Sequence, residues 1–147
     1  MPKLMVIVGL PGSGKTTKAR KVVEIDPENT IRVNYDDLRK MFWNHPHKSY
    51  KREGFVREIL QQIMESACGW QLDIIVDNVN LGRNLSGWND WAEYHHYTLE
   101  IAFIDIPIEE CIERDKLREF PVGEKVIRRF AGQMGEAHVE AAEIQNR

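Results

Sequence analysis

The chain has 147 residues and a net charge of −3, enough length for one domain with its own core and no global charge that would draw it to nucleic acid or a membrane. Its two cysteines, Cys68 and Cys111, lie far apart and form no C-x-x-C pair; this excludes a disulfide scaffold or a zinc site and predicts small core or interface residues in a reducing compartment. No apolar run approaches the roughly 18 residues of a membrane span, and Met1-Pro2-Lys3 leads straight into a strand, so a soluble, cytoplasmic protein of a single domain over residues 1–147 is expected.

The first predicted element is a strand from Leu4 to Val8, followed at once by Gly9-Leu10-Pro11-Gly12-Ser13-Gly14-Lys15-Thr16. This is the G-x-x-x-x-G-K-[ST] pattern of a phosphate loop. Its glycines let successive N–H groups turn inward as an anion nest, and the next helix, predicted from Gly14 to Ile25, adds its positive end. In that pattern Gly12, Ser13 and Gly14 cradle phosphate oxygens, Lys15 neutralises the β- and γ-phosphates, and Thr16 offers its hydroxyl to Mg2+. The bland alternative is a Gly-rich turn that only joins strand to helix.

Thr30 to Val33 reads as a second strand and opens into Asn34-Tyr35-Asp36-Asp37-Leu38-Arg39. Ligands of open α/β sheets sit at the carboxyl ends of the strands. A carboxylate there can take a proton from an attacking hydroxyl, and an arginine one helical turn later can grip a phosphate. Paired Asp residues before an apolar run are also ordinary helix caps; we assign the cap to Asp37 and the functional carboxylate to Asp36. A helix follows from Tyr50 to Gly69, with Phe55, Ile59 and Ile63 at helical spacing. The third strand, Asp73 to Val76, ends in Asp77, which fits either a carboxylate around a metal-bound water or a plain turn residue.

Asn84 to His96 reads as helix and Leu99 to Ile104 as the fourth strand. Beyond Pro107, Arg114 and Arg118 are four apart on one helix face. They suit a mobile lid over nucleotide phosphates or a solvated face paired with Glu110, Glu113 and Asp115. The last stretch, Val122 to Arg147, reads as helix with a stripe of Val126, Ile127, Phe130 and Met134. The whole pattern predicts an α/β, three-layer P-loop NTPase fold: a parallel sheet of about four strands, covered by helices on both faces and topped by a helical lid.

Between Arg32 and Arg57, seven Lys/Arg face three Asp/Glu, a local +4 in an acidic chain. Tyr35, Phe42, Trp43 and Tyr50 are interleaved with these bases, a mixture that can track a single strand or form an aromatic core under a solvated face. His45 with His47, and His95 with His96, lack a third ligand and read as surface residues.

The matching runs, in order, are the phosphate loop with Thr17, Asn34 to Arg39, Lys51-Arg52-Glu53-Gly54-Phe55-Val56, Asn80-Leu81, Arg114 with Arg118, and Val122 through Val126-Ile127-Arg128. Over about residues 4 to 134 the chain thereby resembles the phage-type polynucleotide 5′-hydroxyl kinases, the kinase half of phage polynucleotide kinase-phosphatase. The resemblance implies Asp36 as general base, Arg39 on the substrate phosphate beside the attacked hydroxyl, and Arg118 as the lid arginine. It further implies Thr17 and Arg114 on the nucleotide, and Tyr35, Asn78, Val122 and Val126 around the terminal acceptor nucleotide; Val122 and Val126 could equally be helix core. Three departures stand out. Asn78 replaces a family Asp, whose role is lost or passes to Asp77; the lid is a residue shorter before Val122; and no D-x-D-x-T run marks a phosphatase half.

The expected function is transfer of the γ-phosphate of ATP or another NTP, with Mg2+, to the 5′-OH end of DNA or RNA. A small-molecule or nucleotide kinase would share every donor residue, and a nucleotide-gated switch with slow hydrolysis would have no use for Asp36 and Arg39. Neither the nucleic acid preferred nor a number of subunits is specified by the residues.

Overall fold

Successive side chains of a strand point to opposite faces of the sheet, and along β1 (Lys3–Gly9) both sets are apolar. Leu4, Val6 and Val8 enter the larger core, where they meet Leu60, Met64 and Ala67 of one helix and Leu85 and Ala92 of another. Ile7 points the other way and packs with Ala19 and Ile75, flanked by Val22 and Val23. Two buried faces of one sheet therefore demand three layers, as the alternation of elements predicted.

The computed structural model describes residues 1–82 and 84–147. After β1 come α1 (Lys15–Ile25), β2 (Thr30–Val33), α2 (Tyr35–Trp43), α3 (Tyr50–Gly69) and β3 (Asp73–Val76). Then follow α4 (Asn84–His95), β4 (Thr98–Ile104), α5 (Ile108–Lys116), α6 (Glu124–Ala131) and α7 (Met134–Gln145). The sheet is wholly parallel in the order β2-β3-β1-β4, with Leu4 opposite Ile74 on one side and Leu99 on the other. α1 covers one face; α3 and α4 cover the other.

This order fixes the site. β1 and β3 are neighbours, yet β1 leads into α1 on one face and β3 into α4 on the other, so their carboxyl ends open a crevice between diverging chains. The strands flanking it, β1 and β3, are almost fully buried, whereas edge strand β4 is half-exposed along most of its length and β2 is mixed. Continuous apolarity thus meant full burial only at the centre of the sheet.

The C-terminal stretch is two helices rather than one. α6 packs against α5 and α7 against α4, and the break falls at Gly132-Gln133, where glycine lowers the cost of leaving the helix. A single straight axis could not serve both partners. Among the described residues, no helix is long and apolar enough to cross a membrane.

Candidate active site

Gly12 and Gly14 hold φ values of 81° and 97°, which residues with a Cβ rarely adopt. A Cβ on Gly12 would also stand 2.6 Å from the carbonyl oxygen of Cys111, so the loop touches α5 through a bare backbone. Gly14 is the N-cap of α1 and no side chain caps that helix, leaving first-turn N–H groups for an anion. The Ser13 N–H differs: it donates to the Leu10 carbonyl at 3.0 Å. Lys15 is only 8% exposed and its Nζ donates to the carbonyls of Gly9 (3.0 Å) and Leu10 (2.8 Å). Burial, aided by the charge of Arg118, lowers its pKa to about 8.

Around the loop lies a cleft of about 1460 Å3, more than the ~300–1,000 Å3 that one small ligand needs. Of the site residues expected from sequence, all but Ser13 line it: Gly12, Gly14, Lys15, Thr16 and Thr17 on the loop side, and Tyr35, Asp36, Arg39, Asp77 and Asn78 opposite. Arg114, Arg118, Val122 and Val126 close the third side.

The wall opposite the phosphate loop is organised by α2. Its N-cap is Asn34, whose Oδ1 accepts from the Asp37 N–H at 3.0 Å, so the cap expected at Asp37 falls three residues earlier. Asn34 wins because its extended backbone points the short amide back at the first turn. Asp37 instead accepts from Arg32 Nη1 at 2.6 Å. Asp36 is half-exposed toward the cleft and accepts from Arg39 Nη1 at 2.5 Å. Arg39 itself is 3% exposed, its Nε and Nη2 bound to the two oxygens of Glu53 at 2.6 and 2.9 Å. Three of its five N–H groups are thus committed to protein, and it braces Asp36 as much as it faces a ligand. The same hydrogen bond from Arg39 holds the Glu53 carboxyl below its usual range.

At the end of β3, Asp77 is 1% exposed; it accepts from Arg32 Nε (2.8 Å) and Asn34 Nδ2 (3.0 Å). Asn78 turns toward α2, taking the Tyr35 N–H on Oδ1 at 2.9 Å, and its buried Nδ2 has no protein partner. The role left open between these two residues therefore has its spare polar group on Asn78. For a metal, Thr16 is a fitting hydroxyl, but both oxygens of Asp77 are taken. No cluster of three or more His, Cys, Asp or Glu suits an ion among the described residues.

The segment expected to form a lid runs from α5 to α6. Asp115, 2% exposed, accepts the backbone N–H groups of Val122 (3.0 Å) and Gly123 (2.9 Å), tying the loop after α5 back onto that helix. Arg118 reaches Asp115 only at 3.4 Å, while Arg114 pairs with Glu110 at 2.6 Å on the surface. Of the interleaved aromatics, Phe42 and Trp43 stack edge-on with each other and with Phe55, and Arg52 lies 5.0 Å over Trp43. They form an aromatic cluster at the surface, with Phe55 exposed; Tyr50 is exposed too, and Tyr35 alone of the four lines the cleft.

Residues 4–137 match the model of the AAA domain family. The chain belongs to that family. It is 26% identical over 145 residues to an inferred bifunctional polynucleotide kinase/RNA ligase of Autographa californica nuclear polyhedrosis virus, covering 86% of this chain and 20% of that protein. It superposes on a chain of the Pnkp1/Rnl/Hen1 RNA repair complex with a TM-score of 0.79 at 26% identity, covering 95% of this chain and 46% of that one. The Mycobacterium tuberculosis APS kinase, in complex with AMPPNP and APS, shares the fold at a TM-score of 0.60, 18% identity, and coverage of 79% and 69%. This AAA domain therefore spans a fifth of the viral relative and under half of the repair-complex chain.

Three residues of the AAA domain's site carried no role in the sequence reading. Glu53 lay inside a matching run, yet its contact with Arg39 crosses from α3 to α2. Arg32 entered only as one base of the +4 segment, because its partners Asp77 and Thr16 lie on other elements. Asp115 looked like one more charge on a solvated face.

Proposed function

We propose that this chain transfers the γ-phosphate of a nucleoside triphosphate to the 5′-hydroxyl end of a nucleic acid. The observation that carries the proposal is Asp36: a cleft-facing carboxylate, across from the phosphate loop, held by an arginine that Glu53 braces. A switch protein needs no such group. The cleft's volume leaves room for donor and acceptor together, and the names of the viral relative and of the repair complex, both matched at 26% identity, point to nucleic-acid ends.

In this reading the N–H groups of the loop and α1 hold the β- and γ-phosphates, and Lys15 leaves its two carbonyls to join them. Asp36 accepts the proton of the attacking hydroxyl, and Arg39 fixes the direction from which it does so. Arg118, free of any short ion pair, lends positive charge to the transferring group from the lid. Mg2+ would be held by the Thr16 hydroxyl and phosphate oxygens, where it neutralises charge developing on the phosphates. Asn78 Nδ2 would donate to the acceptor, and Val122 and Val126 would pack against its terminal base.

Asp36→Asn tests this, because it keeps the shape and removes the base. With a 5′-OH oligonucleotide and γ-labelled ATP, kcat should fall by roughly 10²-fold or more while nucleotide affinity stays within about twofold. Near-normal turnover of a folded variant would overturn the assignment.

A further inference from the structure

Four side chains close a ring beneath the cleft. Arg32 Nε donates to Asp77 Oδ2 at 2.8 Å; Asn34 Nδ2 donates to Asp77 Oδ1 at 3.0 Å; Asn34 Oδ1 accepts the Asp37 N–H at 3.0 Å; and Arg32 Nη1 donates to Asp37 Oδ2 at 2.6 Å. The remaining Arg32 nitrogen, Nη2, reaches Thr16 Oγ1 of the phosphate loop at 3.5 Å. The ring joins the end of β2, the end of β3 and the first turn of α2, and Arg32 Nη2 carries its contact with the phosphate loop.

We propose that Arg32 is a positioning residue linking the phosphate loop to the acceptor helix, and that Asp77 serves to hold Arg32 rather than to bind metal. Both Asp77 oxygens already accept a hydrogen bond, and its side chain has no exposure. To reach an ion in the cleft it would have to turn out of the ring, loosening Arg32 or Asn34 and so stranding a half-buried guanidinium or unfastening the α2 cap. A cation also stands at Thr16, where a metal-associated carboxylate would be expected. A metal held by Thr16 and phosphate oxygens would arrive with the nucleotide, and a Thr16 hydroxyl so engaged would leave Arg32 to its two carboxylates, Asp77 and Asp37, the latter in the same turn as Asp36. Donor binding and acceptor binding are thereby coupled, in both directions by linkage.

The inference rests on the nucleotide-binding half of the proposed function, and its first arm needs no acceptor. The affinity of a fluorescent ADP analogue is measured with and without Mg2+ in the wild type, in Thr16→Ala, and in a double variant, Arg32→Gln with Asp77→Asn, that exchanges the ion pair for neutral amides. The Mg2+ enhancement should be lost in Thr16→Ala and kept within about threefold in the double variant. In the second arm, a non-hydrolysable ATP analogue with Mg2+ should tighten binding of a 5′-OH oligonucleotide by roughly 5- to 150-fold in the wild type, and about onefold in a double variant that melts cooperatively. A double variant that loses the Mg2+ enhancement as Thr16→Ala does, or that keeps the full coupling, overturns the proposal. Wild type that binds the ADP analogue but no oligonucleotide would instead defeat the acceptor assignment, leaving the first arm to decide on Asp77.

Discussion

Lys15 ionises differently in the folded protein and in the free chain. Burial brings it to about 8 from the ordinary 10.5, so between those values the unfolded chain binds the extra proton. Its burial therefore costs stability at neutral pH, and that cost is relieved as pH rises above about 8. A bound triphosphate acts oppositely, because its anions favour charged Lys15. Nucleotide affinity should be insensitive to this group below pH 7 and weaken by up to about tenfold per pH unit above 8, with one proton taken up on binding. Titrations from pH 6.5 to 9.5 in buffers of different ionisation heat will show whether that proton is taken up; a flat profile would refute it. Lys15 and Asp36 were legible in the sequence because each belongs to a short run whose chemistry is local. The cap was misplaced at Asp37 because Asn34 takes it, and the ion pairs of Asp77 and Arg39 went unread because their partners, Arg32, Asn34 and Glu53, lie on other elements or outside the helix. A sequence shows which charges exist, whereas pairing across 14 to 45 residues is set by the fold.

Among the elements, the loop after α5 is anchored by a buried carboxylate. Asp115 fastens two backbone N–H groups of the 117–123 segment, and charge-assisted bonds of that kind contribute roughly 1.5–3 kcal/mol. Asp115→Ala should lower Tm by about 3–12 °C, at roughly 2–4 °C per kcal/mol for a chain near this size. It should also raise KM for the nucleotide, since Arg118 and Val122 lose their common anchor. Calorimetry and steady-state kinetics measure both; a lid variant with unchanged Tm and KM would show that the anchor is incidental. Strands and the helices α1, α3 and α4 could be read nearly to their ends, because their apolar periods are long and strong. The split between α6 and α7 could not, since the stripe from Val126 to Met134 is continuous and only the two packing partners divide it.

On the scale of the molecule, alternation of apolar strands and amphipathic helices determined the three layers, and the strand order β2-β3-β1-β4 placed the crevice over the phosphate loop. What the chain shares with an APS kinase at 18% identity is the fold; in the proposed function the choice of phosphoryl acceptor falls to the wall that carries Asp36, Arg39, Glu53 and Asn78. The most direct measurement offers γ-labelled ATP and Mg2+ with an equimolar panel of 5′-OH DNA and RNA oligonucleotides, nucleoside 3′-phosphates, nucleosides and sugars. The account predicts label at the 5′ ends of oligonucleotides, with nucleosides and sugars at least about tenfold poorer in kcat/KM, a difference of ~1.4 kcal/mol in transition-state binding. Label on a nucleoside or sugar in preference to oligonucleotides, or release of free phosphate with no acceptor labelled, would contradict it.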